Sequence, residues 1–421
     1  MRTWKKAVSV TLAICMLTGL SGCSFDFQKE NGEAATEVLS DVEEESKERA
    51  DKGEKADVTP EGTVVSGGAT DTGTDLTEDE MQEPEERMKV KGIYVSGPVA
   101  GSYLMDELIT LIDETELNTM VIDVKSDEGY ITFDMNLEQV KKMDACISYI
   151  PDIDALMKKL KEHGIYTIAR IVCFKDPYLA EYEPELALKK PDGTPITDAY
   201  GLAWVNPYKE GVWEYINDVA VAASDAGFDE IQFDYVRFPI GSDADEADYG
   251  VDRETYTRSQ GLTDFFEYTS ERLHSESIVF GADLFGTVIG NPTDMEQTGQ
   301  DYAKLAQMAD VLSPMIYPSH YGPGVFNLDV PDAYPYETIY GALEMSNEEL
   351  KDIPQDSCGV VRPWLQCFTA SWIEGHIEYG TKQIRRQIQA VYDTGHEEWI
   401  LWNSSCRYPK RAFAVKETVM Q

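Results

Sequence analysis

Basic residues are scarce in this chain: 36 lysines and arginines stand against 77 aspartates and glutamates in 421 residues, a formal net charge of −41. Nucleic acids and anionic surfaces are therefore poor ligands, because neutralising phosphates takes clustered lysine and arginine, and no basic run or basic–aromatic interleaving occurs. Histidine is rare too. The five present (His163, His274, His320, His376, His396) are scattered, without a two-histidine metal spacing, and neither a metal nor a cofactor is expected. Cysteine supplies no disulfide framework: with Cys15 and Cys23 assigned to the N-terminal leader, an odd five remain, Cys146, Cys173, Cys358, Cys367 and Cys406. Cys173, Cys367 and Cys406 fall in or beside strand patterns and read as small buried hydrophobes. No internal repeat is visible.

What is present begins with targeting. Arg2, Lys5 and Lys6 precede an apolar run from Ala7 to Leu20 that is too short to span a membrane as a mature helix, the layout of a signal peptide over residues 1–22. The run ends in Leu20-Ser21-Gly22-Cys23, which resembles the bacterial lipobox. That resemblance implies lipidation of Cys23 after cleavage and an extracytoplasmic protein anchored to the cell membrane by lipid alone. Residues 23–88 are rich in Glu, Asp, Gly and Thr and almost free of aromatics. Such a segment buries too little apolar surface to offset its ordering entropy and reads as a disordered acidic tether, with a reach of roughly 45 Å. Residues 89–421 suffice for one large domain.

Within that domain short apolar runs alternate with longer amphipathic ones. The strand candidates are Gly92–Ser96, Thr119–Lys125, Tyr166–Phe174, Glu230–Phe238, Ile278–Phe285, Val311–Tyr317, Arg362–Phe368 and Glu398–Asn403. Helix patterns lie between them at Tyr103–Thr115, Ile153–His163, Glu210–Ala226, Arg253–His274, Asp301–Ala309, Tyr336–Leu350 and Ile373–Tyr392, with a last stretch near Arg411–Val419. Strand then helix, repeated about eight times, predicts an α/β fold of the (β/α)8 TIM-barrel type with long βα loops. An open doubly wound sheet is disfavoured, since Ser96-Gly97-Pro98-Val99-Ala100-Gly101 lacks the phosphate-loop spacing.

Side chains alternate along a strand, so counting in twos assigns each charged residue a face. On the fourth strand Ile231, Phe233 and Tyr235 share the outer face, while Gln232 and Asp234 point inward; on the fifth, Gly281 and Asp283 point inward. The same count directs Asp123 and Lys125 of the second strand and Arg170 of the third to the mouth of the barrel. Two carboxylates on adjacent strand ends suit glycoside hydrolysis, which needs one ionised group and one that keeps a proton. Arg170 and Arg237 favour charge on Asp234, and the apolar neighbours of Asp283 raise its pKa. Asp234 is accordingly the candidate nucleophile and Asp283 the candidate general acid/base; the competing reading of each is a structural ion pair at the barrel top. Asp127 and Glu128 read as turn residues.

Val121-Ile122-Asp123-Val124-Lys125-Ser126, Trp204-Val205-Asn206-Pro207, the segment Phe228 to Pro239 and Ser313-Pro314-Met315-Ile316-Tyr317-Pro318-Ser319 together resemble a glycosyl hydrolase family of bacterial secreted proteins and lipoproteins. The resemblance covers the chain from Lys89 onward. It implies a carbohydrate-active barrel, distantly similar to α-amylase-type hydrolases, with Asp234 at their strand-four nucleophile and a retaining mechanism. Two positions depart from the amylase-type pattern. Gln232 stands where those enzymes carry an arginine, for which Arg170 is the candidate substitute, and Asp283 stands where they carry a glutamate.

A sugar ring stacks its apolar side on aromatics while polar groups hold its hydroxyls. Trp204, Tyr235, Tyr317, His320, Tyr321, Trp364, Trp402 and Asn403 lie at strand ends or in the following loops; Tyr317, Trp402 and Asn403 are chosen as substrate contacts, with Asp123, Lys125, Arg170 and Arg237. The segment from Asp176 to Pro207 is the expected substrate wall. The expected function is a cell-surface glycoside hydrolase acting on an oligo- or polysaccharide, and the rival is a non-catalytic carbohydrate-binding or cell-envelope protein on the same scaffold.

Overall fold

The computed structural model describes residues 87–416. The signal sequence, Cys23, nearly all of the tether and residues 417–421 lie outside the described residues. The sheet closes on itself through eight parallel strands: β1 Lys91–Val95, β2 Thr119–Lys125, β3 Tyr166–Val172, β4 Glu230–Asp234, β5 Phe280–Phe285, β6 Val311–Ile316, β7 Trp364–Gln366 and β8 Trp399–Trp402. Each pairs with its successor, and β1 seals the ring by pairing both β8, Lys91 opposite Trp399, and β2, Gly92 opposite Thr119. All eight coincide with the runs read from the sequence, because strands covered on both faces must be apolar nearly throughout.

The outer layer comprises α1 Leu104–Glu114, α2 Ile153–Glu162, α3 Glu210–Asp225, α4 Arg258–Ser275, α5 Tyr302–Leu305, α6 Pro335–Leu350 and α7 Thr381–Asp393. In α3 the buried residues Val212, Trp213, Ile216, Val219, Ala220 and Ala223 recur at helical spacing. Beyond its end Gly227, at φ +103°, turns the chain into β4 in a conformation that glycine adopts without strain.

Four helical readings shift, and the one over Asp301–Ala309 shortens to the single turn Tyr302–Leu305. α4 starts at Arg258 and not Arg253, because Thr257 accepts from Gln260 N–H in a capping box. α7 starts at Thr381, since Gly375 at φ +84° interrupts the helical pattern read from Ile373. The closing helix near Arg411 is a single 3-10 turn, Lys410–Ala412, after which Val415 bridges Thr115 and Ala414 N–H donates to Glu116 at 2.8 Å. An addition unforeseen in the sequence follows β2: short strands Ile131–Phe133 and Cys146–Ile150 extend the sheet from Lys125, the first of them antiparallel. Of the described cysteines, Cys173, Cys367 and Cys406 are buried, as small hydrophobes would be.

A charged layer also closes the floor of the barrel, at the amino ends of the strands. Arg362 Nη1 bonds Glu230 at 2.6 Å and its Nε bonds Glu398 at 2.9 Å, with side-chain exposures of 0 to 2%. Arg87 pairs with Glu398 from outside.

Candidate active site

At the opposite, carboxyl-terminal face the centre is Arg170, on β3, 2% exposed. Its Nε and Nη2 bond Asp234 Oδ2 at 2.9 and 2.5 Å, its Nη1 bonds Asp123 Oδ1 at 2.7 Å, and its Nη2 also bonds Asp127 Oδ1 at 2.8 Å. Register explains the meeting: Asp123 lies opposite Arg170, and Arg170 opposite Gln232, two residues before Asp234. The guanidinium lies 5.4 Å from the Trp402 ring and 5.8 Å from that of Tyr94, whose hydroxyl donates to Asp123 Oδ2 at 2.5 Å. Tyr94 and Trp402 pack with centroids 4.2 Å apart.

Asp234 ends β4, where its second oxygen accepts the Tyr235 N–H at 2.6 Å. Tyr235 departs from the face count. It adopts φ +49°, which breaks the strand alternation and brings its ring to the mouth, where its hydroxyl donates to Asp127 at 3.3 Å. Asp283 has the opposite surroundings. It is 1% exposed, and both of its donors, Gln232 Nε2 and Trp364 Nε1 (2.6 Å), converge on Oδ1. Burial, then the charge of Asp234, push its pKa well above the carboxylate range, and these bonds together with Arg170 offset only part of that. Burial likewise raises Asp123 to about 6 against the pull of Arg170 and Tyr94. For Asp127 burial also raises, but Arg170 and Lys175 together outweigh it and the net shift is downward.

Of the residues chosen from the sequence, the fold brings Asp123, Arg170, Asp234, Asp283 and Trp402 into this cluster. Tyr317 stands close by, 2% exposed against His320 and Phe368, its hydroxyl pushed up by burial and by the charges of Asp283 and Asp234. Arg237 lies over the rings of Phe285, Trp204 and Tyr235.

Lys125 takes a different place. The β2–β3 register shifts between Asp123 and Lys125, and Lys125, 0% exposed, donates to Val172 O at 2.7 Å and pairs with Asp176 at 2.9 Å. Asn403 is spent tying its own turn to the end of β7: its amide donates to Cys367 O and Arg407 O, and its oxygen accepts from Ser405 N and Oγ. Tyr94 and Trp364 take roles that the sequence does not assign to them, although Trp364 is among its strand-end aromatics. A tyrosine two residues after Gly92, on a strand otherwise small and apolar, was the available signal for the first.

The segment from Asp176 to Pro207 stands beside the cluster. It is pinned by bridges from Lys175 to Trp204, Ala187 to Val205 and Thr197 to Ala203, and by another from Lys189 to Asp248. At its base Lys175, 2% exposed, sits 4.4 Å from the Tyr235 ring and 3.4 Å from Asp198.

Among solved structures, a hypothetical protein from Ruminiclostridium thermocellum ATCC 27405 is 33% identical over 45% of this chain and 96% of its own, with a TM-score of 0.41. The PgaB (BpsB) glycoside hydrolase domain from Bordetella bronchiseptica superposes at TM-score 0.56 and 11% identity, covering 79% of this chain and 100% of that one. Alpha-L-fucosidase isoenzyme 2 from Paenibacillus thiaminolyticus gives 0.51 and 11%, over 77% and 48%. At such identities the likeness is one of fold. No curated protein matches the chain. A family model matches residues 92–408, from the second residue of β1 to beyond β8, and on that match the chain belongs to the family described as "Putative glycosyl hydrolase domain".

Proposed function

We propose that the chain hydrolyses glycosidic bonds of an oligo- or polysaccharide, at the cell surface, with Asp234 and Asp283 as its two carboxyl groups. The observation that carries this reading is their contrast on adjacent strands. Asp234 is gripped by Arg170 and the Tyr235 amide, which hold a carboxylate in place, while Asp283 is sunk beside it with its pKa raised. Asp234 attacks the anomeric carbon as the bond to the leaving oxygen breaks, and Asp283 gives that oxygen a proton. Water, deprotonated by Asp283, then hydrolyses the glycosyl–Asp234 ester and restores both groups. Arg170 occupies the role that the amylase-type pattern gives to an arginine two residues before the nucleophile.

Asp123 is the second group kept partly protonated near neutrality, and at 6% exposure it is less deeply buried than Asp283. It is nevertheless engaged at both oxygens, by Arg170 and by Tyr94, whereas both donors to Asp283 share one oxygen. Asp283 is therefore the better proton donor.

The test is hydrolysis of a panel of α- and β-linked glycans by wild type, Asp234→Asn and Asp283→Asn, with the anomer of the first product read by NMR. Retention of configuration and loss of cleavage in both variants are expected. Binding without cleavage by wild type would instead establish a carbohydrate-binding barrel. The lipid anchor at Cys23 is tested separately by lipid labelling of wild type and Cys23→Ser.

A further inference from the structure

Three arginines mark the polar positions of this barrel, and two of them are saturated by carboxylates: Arg170 by Asp123, Asp127 and Asp234, and Arg362 by Glu230 and Glu398. Arg237 is the exception. Its guanidinium lies 4.6 Å from the Phe285 ring centroid, 5.0 Å from Trp204 and 5.5 Å from Tyr235, and it donates one bond, to Phe238 O at 3.0 Å. Among the described residues no carboxylate forms an ion pair with it. A guanidinium has five N–H donors. None of the Arg237 nitrogens is among the buried polar atoms that lack a partner, so the unused donors face solvent.

Its position is at the mouth. Phe285 lies two residues beyond Asp283 on β5, on the same face, and Tyr235 follows Asp234 directly. Burial lowers the pKa of Arg237, and Tyr235 and Asp234 pull it back up only in part, which is the mark of a cation whose charge the protein leaves incompletely matched. Three rings crowd the guanidinium, and a planar fork held among them suits a carboxylate bound through two parallel N–H bonds. A dianion would meet twice the repulsion from Asp234 that a monoanion meets, which favours carboxylate over phosphate.

We propose that Arg237 is the receptor for a carboxylate borne by the saccharide, and that the ligand of this site is an acidic glycan built from uronate-type sugars. The proposal rests on the glycan-binding reading of the site and names its substrate class.

The experiment compares oligomers of galacturonate, glucuronate and mannuronate with the methyl esters of the same oligomers, which keep the sugar rings and hydroxyls and lose the charge. Binding is measured for wild type, Asp234→Asn, Arg237→Gln and Arg237→Lys. Wild type and Asp234→Asn should prefer at least one acid over its ester by about 10- to 100-fold, the strength of a charged hydrogen-bonded pair. Arg237→Gln should abolish that preference, and Arg237→Lys should restore part of it. Equal binding of acid and ester by wild type, or no binding of any acidic oligomer, overturns the proposal, and this arm decides even if Arg237→Gln fails to fold. The two readings separate cleanly. Acid-selective binding without cleavage removes the hydrolase and keeps the carboxylate receptor; cleavage of a neutral glycan together with equal binding of acid and ester by wild type does the reverse.

Discussion

The floor and the mouth of this barrel use the same device, an arginine between carboxylates, to different ends. On the floor, Arg362 and Arg87 face Glu230 and Glu398, so cations and anions balance, and the inner side chains are 0 to 2% exposed. At the mouth one arginine holds Asp123, Asp127 and Asp234, with Asp283 bonded to Gln232 next to them. The floor is a closed ion cluster whose removal would leave a stranded charge. The mouth carries more carboxyl groups than cations, and two of them, Asp123 and Asp283, are pushed toward the protonated form. Polar residues at the amino ends of barrel strands stabilise the fold; those at the carboxyl ends meet the ligand.

That contrast breaks most readily at Asp234. Asp234→Asn should lower kcat on a cleaved glycan by on the order of 10⁴-fold, the upper range for losing a group in direct contact with the reacting atoms. Its melting temperature should hold or rise, because one of the crowded negative charges is gone. The mirror experiment is Arg362→Met, expected to cost about 3–5 kcal/mol in urea unfolding by stranding Glu230 and Glu398, while the molecules that remain folded keep their kcat. If Asp234→Asn destabilised as much as Arg362→Met, the two layers would not differ in kind.

Titration sharpens the comparison at a smaller scale. The folded-state pKa of Asp123, about 6, lies above its ordinary 3.8, so between those values the folded protein holds more protons than the unfolded chain. Stability from this group is complete below about pH 4 and is lost as pH rises through 6. By linkage the loss is about 3 kcal/mol in all, roughly half of it between pH 5 and 7.5. Wild type should therefore lose more stability than Asp123→Asn over that interval in paired urea titrations. Parallel slopes would mean that Asp123 titrates normally.

The sequence announces some of this and conceals the rest for physical reasons. Eight doubly covered strands must be apolar, so their runs stand out, and alternation by twos correctly turned Arg170, Gln232, Asp234 and Asp283 inward. The count fails where the backbone leaves the regular strand: at the register shift between Asp123 and Lys125, and at Tyr235 with its φ of +49°. Asp127 does sit in a turn, closed by Gly129 N–H to Ser126 O at 3.0 Å, yet the same turn delivers its carboxylate to Arg170. The floor is hidden more thoroughly. Glu230, Arg362 and Glu398 each stand at or just before the start of a strand, 132 and 36 residues apart in pairs, and only closure of the ring makes them neighbours.

Tyr94→Phe provides the finest test of the difference between the layers. The substitution keeps the ring that packs on Trp402 and removes only the hydroxyl that donates to Asp123. A hydrogen bond to a carboxylate favours its charged form, so losing it should raise the Asp123 pKa above about 6 and cost about 1 kcal/mol where Asp123 is ionised. At pH 7.5 the cost should be full; at pH 5, where Asp123 carries a proton in both proteins, it should shrink. Arg362→Met strands Glu230 and Glu398 in a buried layer, and at pH 7.5 its cost should exceed that of Tyr94→Phe severalfold. Urea unfolding of wild type and the two variants at pH 5 and pH 7.5 measures both. A Tyr94→Phe cost that does not change with pH would show that Asp123 keeps one charge state across this interval.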